Sequence, residues 1–166
     1  MELPEATRIR LKTQHLVIDE LLNKLTKEQC DMELVQGKWT VRQHLAHLVR
    51  YQHVFYERTQ TIMSTFNAVF SPYVAEDDEE FQKVVQLPVT ELLIDLHAMR
   101  KTINSFYFNL NSGELSRKGR HTELGNFSIA LWAEFFMLHE AHHIFSIFSI
   151  GKQLANRGDI NAEQDF

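Results

Sequence analysis

Residues 128–150 have the sequence SIALWAEFFMLHEAHHIFSIFSI, and this stretch decides the fold class. Its apolar and aromatic side chains fall on nearly the whole circumference of a helix, which is typical of a helix that is buried on most sides. We therefore predict a helix over residues 128–154 that lies in the middle of other helices. Its polar interruption is His139-Glu140-Ala141-His142-His143, within the most apolar helix of the chain.

Three further helices are predicted from apolar side chains that recur every three or four residues, over residues 4–27, 40–66 and 89–110. The second begins with a capping box, in which Thr40 accepts from a free backbone amide and Gln43 reaches back. The chain contains only six Gly and three Pro, so few residues interrupt long helices.

The predicted fold class is all-α, a four-helix bundle with a long connection between helices 2 and 3, over residues 67–88. Residues 114–126 are predicted to be a loop, because they are polar and show no alternating strand pattern. The bundle domain covers residues 1–154, and residues 155–166 form a polar C-terminal tail.

The net charge of −5 arises from one acidic run, residues 76–80, because the rest of the chain holds 17 basic and 17 acidic residues. Without a basic patch, we expect no nucleic-acid partner. No apolar stretch approaches the ~18 residues that span a bilayer, so we expect no membrane partner. The N-terminus lacks the features of a signal peptide, and we expect a cytoplasmic protein.

Histidine is the unusual feature of the composition, with nine residues beside a single cysteine. The lone Cys30 excludes an internal disulfide and any zinc site made of thiolates alone. We interpret Cys30 as a free structural thiol. If the protein binds a metal, imidazole must supply the ligands.

Two histidine clusters have the spacing of metal ligands. In the fourth helix, His139, His142 and His143 stand at positions i, i+3 and i+4, so two of them can share one helical face. In the second helix, His44 and His47 follow the cap closely, and either can point inward. A divalent metal satisfies an imidazole in apolar surroundings, but so does a hydrogen bond within the core. Spacing alone leaves open which of these histidines converge.

These segments together resemble the DinB-like (DinB/YfiT) superfamily. The resemblance rests on Gly37-Lys38-Trp39-Thr40-Val41-Arg42, on His47-Leu48 and on residues 139–143, and it covers nearly the whole bundle. In that family a metal-binding His stands eight residues after the Trp, and two further ligands lie four residues apart on a later helix. The resemblance thus implies that His47, His139 and His143 bind one divalent ion, which is Zn, Ni or Fe. His44 and His142 are then neighbours of the site.

The family includes transferases in which a metal activates a small thiol for attack on an electrophile. The resemblance therefore implies a divalent-metal-binding protein that acts as a thiol S-transferase or a hydrolase-like enzyme, with a small-molecule substrate such as a low-molecular-weight thiol. The alternative is a non-catalytic metal- or small-ligand-binding stress-response protein. Beyond the ligands, no residue is assigned a catalytic role.

The resemblance also implies a homodimer, since bundles of this family often pair. Phe106-Tyr107-Phe108 is the predicted contact, because three consecutive aromatic side chains cannot all face one core. Family members often have a small residue and a Gln at the positions of Phe145 and Ser146. This departure predicts an altered pocket shape.

Three other polar or aromatic residues can border the site. Gln43 and Tyr51 stand four residues before and four residues after His47, and His15 interrupts the apolar face of the first helix. We interpret all three as cap or core residues.

Overall fold

The structure, a computed structural model, describes residues 2–162. The last four residues of the predicted tail, 163–166, lie outside this range. Within the described residues, no helix is long and apolar enough to cross a membrane.

The chain is mainly helical. In chain order, the helices are α1 (Glu5–Thr13), α2 (Val17–Leu22), α3 (Lys27–Asp31), α4 (Val41–Ser64), α5 (Glu79–Val84), α6 (Val89–Asn109), α7 (Ser112–Leu115) and α8 (Ile129–Ala162), and the strands are β1 (Val69–Phe70), β2 (Lys118–His121) and β3 (Gly125–Ser128). Short 3-10 turns lie at Gln14–Leu16 and Ala75–Asp77.

The predicted four-helix bundle is confirmed, with α1 and α2 as its first segment and α4, α6 and α8 as the other three helices. The first segment packs against α6 and α8, and α4 packs against the same two helices. The first segment and α4 therefore occupy diagonally opposite corners of the bundle. The long connection between the second and third bundle helices is present and contains β1 and α5.

The predicted all-α class is confirmed, and a small sheet that the sequence pattern did not predict joins the two predicted connections. β1 pairs with β2 in parallel, and β2 pairs with β3 in antiparallel register. Gly125 starts β3 with φ of +87°, a conformation that glycine adopts without steric cost. Strands of two to four residues are too short to produce a readable alternation, which is why the sequence pattern missed them.

Two helix boundaries also differ from the prediction. The first helix is interrupted by the 3-10 turn at Gln14–Leu16 and ends at Leu22 rather than near Lys27. The fourth continues to Ala162, so the predicted tail is helical as far as the structure describes it. A polar composition does not by itself end a helix.

The predicted dimer contact is split between core and surface. Tyr107 is buried, whereas Phe106 and Phe108 are partly buried. Phe106 packs edge-on against Tyr56, and the guanidinium of Arg8 lies 4.8 Å from the ring centre of Phe108. The three aromatic side chains therefore do not share one face, and the homodimer stays a prediction.

The core consists of two apolar clusters with a polar layer between them. One cluster includes Phe55 and Trp132, and the other includes Leu45 and Ile147. Most of the buried polar side chains of α4, α6 and α8 fall where the two clusters meet, and His15 of the 3-10 turn joins them. We call this set the polar layer: His15, His47, Gln52, Arg100, Glu140 and His143.

Candidate metal centre

The start of α4 sets the position of its two histidines. The Oγ1 of Thr40 accepts from the backbone N–H of Gln43, and the Gln43 side chain accepts from the backbone N–H of Thr40, so the predicted capping box is confirmed. Gly37, with φ of +75°, turns the chain just before Trp39. Because α4 begins at a defined residue, His47 lies in its second turn and reaches α8.

Three histidines from two helices come together between α4 and α8. They are His47, His139 and His143, and each offers one ring nitrogen to a group in which all three nitrogens lie within 4.8 Å of one another. We call these three residues the histidine triad. The i and i+4 spacing of His139 and His143 places both on the face of α8 that meets α4.

The spacing and chemistry of the triad fit a divalent ion. Nε2 of His47 and Nε2 of His139 are 3.0 Å apart. Adjacent nitrogen ligands of a tetrahedral zinc are about 3.3 Å apart when each Zn–N distance is about 2.0–2.1 Å. His47 and His139 thus lie close to the spacing of two such ligands, and the third nitrogen, from His143, lies within 4.8 Å of both. Three imidazoles suit zinc, nickel and iron, so the donor set does not select one metal.

Burial keeps the triad in the neutral form that metal binding requires. Desolvation, with added repulsion from neighbouring imidazoles, lowers the pKa of His47 to about 4, that of His139 to about 3 and that of His143 to about 2. A neutral imidazole keeps a lone pair for an ion. At neutral pH, protons therefore do not compete with a metal for these nitrogens.

Two triad nitrogens have no hydrogen-bond partner among the described residues. They are Nδ1 of His47 and Nδ1 of His139, and both are buried. Unsatisfied buried polar atoms are rare in folded proteins and concentrate where a site has a role other than stability. Hydrogen bonds among the described residues therefore leave part of the triad unsatisfied.

Aromatic side chains enclose the triad. The ring of Trp39 lies 5.1 Å from that of His47 and stacks at 5.9 Å on His143, and the ring of Tyr51 lies 4.0 Å from that of His139. Tyr51 thus borders the site, and burial raises its pKa to about 12, so its hydroxyl stays protonated.

The long connection contributes two residues to which the sequence pattern assigned no role. The Phe81 ring stacks on Trp39 at 5.6 Å, and the Tyr73 ring lies 5.5 Å from His47. Tyr73 is held in place because its hydroxyl donates to Asp78, which Arg50 of α4 also contacts. Only a tertiary contact brings this distant segment onto the triad.

The two histidines that spacing left as alternatives have different surroundings. Nδ1 of His44 lies 2.9 Å from Nδ1 of His143. When His143 donates this hydrogen bond, its Nε2 keeps a lone pair for an ion, so His44 can set the orientation and tautomer of His143. His142 is exposed, and its ring lies outside the triad with its centre 5.1 Å from that of His143.

The remaining candidates lie elsewhere. His15 accepts a hydrogen bond from Arg100 at 3.1 Å and belongs to the other side of the polar layer, so it does not reach the triad. Gln43 serves the helix cap. Cys30 is buried and free, and desolvation raises its pKa, which agrees with a structural thiol.

Sequence analysis did not identify the buried ion pair of Arg100 with Glu140. These side chains are 1 % and 0 % exposed and contact each other directly. Arg100 also donates to Gln52 at 2.8 Å, and Glu140 accepts from Gln14 at 3.0 Å. A Glu inside the apolar pattern of α8 was the available signal, but its partner lies 40 residues away.

The fold and the triad define the class of this protein, a four-helix bundle with three histidines that converge between two of its helices. Comparisons with known proteins identify the family. The family model of the DinB superfamily matches residues 10–146. The chain belongs to the DinB superfamily.

Relatives and solved structures agree with this membership. A protein of Oceanobacillus iheyensis is 30% identical over 131 residues, covering 78% of this chain and 74% of that protein. One of Bacillus cereus is 29% identical over 144 residues, covering 82% and 83%. Both are provisionally named metal-dependent hydrolases.

Two solved structures share the fold. YfiT from Bacillus subtilis has a TM-score of 0.80 at 18% identity, covers 91% of this chain and 87% of its own, and is provisionally described as a metal-dependent hydrolase with an unusual four-helix bundle topology. A DinB-like protein, YjoA, from the same organism has a TM-score of 0.59 at 15% identity, with 91% and 93% covered.

Proposed function

We propose that His47, His139 and His143 bind a divalent metal ion and that the protein transfers a small thiol onto an electrophilic substrate. The observation that carries the proposal is the group of three converging imidazoles, all kept neutral by burial. A divalent ion on neutral ligands retains its double charge and lowers the pKa of a thiol or water that coordinates it.

The surroundings of the triad favour a nucleophile that loses its proton readily. The rings that contact it in the described residues belong to aromatic and histidine side chains, and Glu140, the nearest acid in sequence, is paired with Arg100. Burial also lowers the pKa of His44 to about 4, which makes it a weak base. A thiol, with an ordinary pKa near 8.5, needs less help from a base than water does.

The remaining residues of the site shape it. Trp39, Tyr51 and Phe81 cover the triad and exclude water from the nitrogens. A nucleophile in such a low-dielectric place interacts more strongly with nearby charge than it does in water. The protonated hydroxyl of Tyr51 can donate a hydrogen bond at the edge of the site.

Zinc-, nickel- and iron-loaded protein is tested with a panel of small thiols and chlorodinitrobenzene. In this reaction the thiol sulfur forms a bond to the ring carbon, chloride leaves, and the thiol proton goes to the buffer. We expect a metal- and thiol-dependent rate above the uncatalysed reaction, and we expect His47→Ala to reduce it to background.

The matched control is His53→Ala, in the same helix, which removes an imidazole paired with Asp95 at the surface and leaves the rate unchanged. A wild-type rate no higher than background with every thiol and metal contradicts thiol transfer.

Hydrolysis is the second candidate, and the provisional names of the relatives support it. Release of nitrophenol from nitrophenyl acetate without any thiol, abolished by His47→Ala, would identify a hydrolase. Metal binding without either rate would instead favour the non-catalytic binding protein.

A further inference from the structure

A groove of about 600 Å³ opens beside the triad, on the side of His44. Trp39 and His44 form its inner wall, and both rings also contact His143. The groove is therefore separated from the triad by a single layer of side chains. Its volume lies within the range of about 300–1,000 Å³ that is usual for small-molecule sites.

The lining of the groove combines aromatic surface with positive charge. Phe145 on α8 and Val35 in the connection before α4 are 68% and 56% exposed, so large apolar side chains face solvent there. Lys38 brings a positive charge to it, the imidazoles of His44 and His142 lie beside it, and no carboxylate lines it among the described residues. In a chain with a net charge of −5, such a surface favours a ligand that is itself negative.

Lys38 is the cation available to that ligand. Its side chain forms no ion pair with the side chains that the structure describes, those of residues 2–156, and it lies next to Trp39 at the mouth of the groove. The hydroxyl of Ser146 donates to the carbonyl of His142, and the amide of Gln153 donates to Ser149, so their hydrogens are engaged within α8. The groove thus offers one free ammonium group beside two aromatic rings.

We propose that this groove binds a small molecule that carries an aromatic ring and an anionic group, with the ring against Trp39 and Phe145 and the anion at Lys38. If the ligand is a substrate, this proposal rests on the proposed function, because the groove matters for catalysis only when the neighbouring triad is the active site. The binding of such a ligand to the groove does not depend on whether the protein is an enzyme.

Phe145 explains why we expect this class of ligand for this chain rather than for the family in general. Phe145 and Ser146, where the family resemblance leads one to expect a small residue and a Gln, both line the groove. A phenyl ring in place of a small side chain adds aromatic surface to a wall that Trp39 already provides. The departure from the family pattern therefore alters the groove rather than the triad.

The test uses two fluorescent dyes that share an aromatic body, anionic anilinonaphthalene sulfonate and uncharged phenylnaphthylamine. The full-length protein is titrated with each dye in zinc-loaded and metal-depleted form. We expect saturable binding of the anionic dye in both forms. Lys38→Gln weakens its binding by about five- to tenfold, which corresponds to about 1–1.4 kcal/mol, while binding of the uncharged dye changes less than about twofold.

Phe145→Ala weakens both dyes by about tenfold, because it removes one of the two rings. The matched control is Phe148→Ala, since Phe148 is a 44% exposed phenylalanine of the same helix that lines a separate, smaller cavity against α2. It leaves the binding of both dyes unchanged.

Equal effects of Phe145→Ala and Phe148→Ala, or no effect of either, would overturn the assignment to this groove. Equal loss of both dyes in Lys38→Gln, or loss of neither, would overturn the anionic part. Because the readout is dye fluorescence with and without zinc, these outcomes do not depend on whether the enzyme transfers thiols. A missing thiol-transfer rate therefore disproves the proposed function without affecting the binding result.

Discussion

His139 and Glu140 are adjacent in sequence, yet their side chains enter two polar clusters with opposite properties. Successive residues of a helix point about 100° apart, so the two face different neighbours. His139 joins the histidine triad between α4 and α8. Glu140 joins Arg100, His15 and Gln52, a set that we call the arginine cluster, where α8, α6, α4 and the first segment meet.

The arginine cluster satisfies its own hydrogen bonds and charges, whereas the triad does not. Arg100 donates to Gln52, to His15 and to Glu140, and the positive and negative charges cancel. In the triad, two buried Nδ1 atoms lack partners among the described residues. Buried polar groups without partners cost free energy. The comparison teaches that one part of the polar layer satisfies its own polar groups, whereas the other brings together imidazoles with buried nitrogens that lack partners among the described residues.

The largest expected effect comes from breaking the arginine cluster. Arg100→Met leaves the charge of Glu140 buried without its partner, and we expect the free energy of unfolding to fall by about 3–5 kcal/mol. Urea denaturation monitored by circular dichroism measures it.

Arg10→Met is the matched control for Arg100→Met, because Arg10 pairs with Glu134 where both side chains are about a third exposed. It costs less than about 1 kcal/mol. Equal losses in the two variants would show that the arginine cluster has no special structural role.

The next largest effect is on metal binding by the triad, which we expect to change without a large change in the stability of the fold. The wild-type protein binds about one divalent ion per chain, and His139→Ala weakens zinc binding at least about a hundredfold, or about 2.7 kcal/mol. The free energy of unfolding of the metal-free variant stays within about 1 kcal/mol of wild type, because the lost side chain has an unsatisfied nitrogen. Zinc titration calorimetry and denaturation in chelator provide the two measurements.

His142→Ala serves as the control for this experiment. It removes an exposed imidazole three residues along the same helix and leaves zinc affinity within about threefold. Stoichiometric zinc in purified His139→Ala would refute the ligand assignment.

The smallest effect concerns pH and the arginine cluster. Desolvation, together with the nearby charge of Arg100, lowers the pKa of His15 to about 3 from an ordinary 6.5. Between these pH values the unfolded chain binds a proton that the folded protein excludes, so stability rises with pH from 3 to 6.5 and is lost as the pH falls. The contribution is at most about 1.4 kcal/mol per pH unit.

His15→Asn isolates this contribution, because its Oδ1 can accept from Arg100 in place of Nδ1 and does not titrate. Unfolding of metal-free protein from pH 4 to 6.5 should show a shallower slope than wild type, whereas His53→Asn, at the surface beside Asp95, should retain the wild-type slope. An unchanged slope in His15→Asn would contradict the burial argument.

Much of the fold was predictable because the relevant signals are local. The period of apolar residues identified the four bundle helices, and Thr40 with Gln43 identified the start of α4. The interrupted first helix, the helical continuation after residue 154 and the small sheet were missed. A 3-10 turn, a polar helix end and strands of two to four residues leave too little pattern in the sequence.

The candidate site was predictable only in part. Spacing indicated two histidine clusters, and the family resemblance selected His47, His139 and His143, which the fold brings within 4.8 Å of one another. Spacing could not choose between His142 and His143, because that choice depends on how α8 is rotated against α4. Trp39 entered through the resemblance, whereas Tyr73 and Phe81 were not identified at all.

The sequence by itself determined which segments are helical, that the fourth helix is the most apolar, and that imidazole is the available metal ligand. Each of these follows from residue type and from spacing within one segment. Only the tertiary structure decided that Glu140 meets Arg100, that Tyr73 and Phe81 cover the triad, and that Phe145 lines a groove beside it. These contacts join residues far apart in sequence, and the packing of whole helices determines which side chains meet.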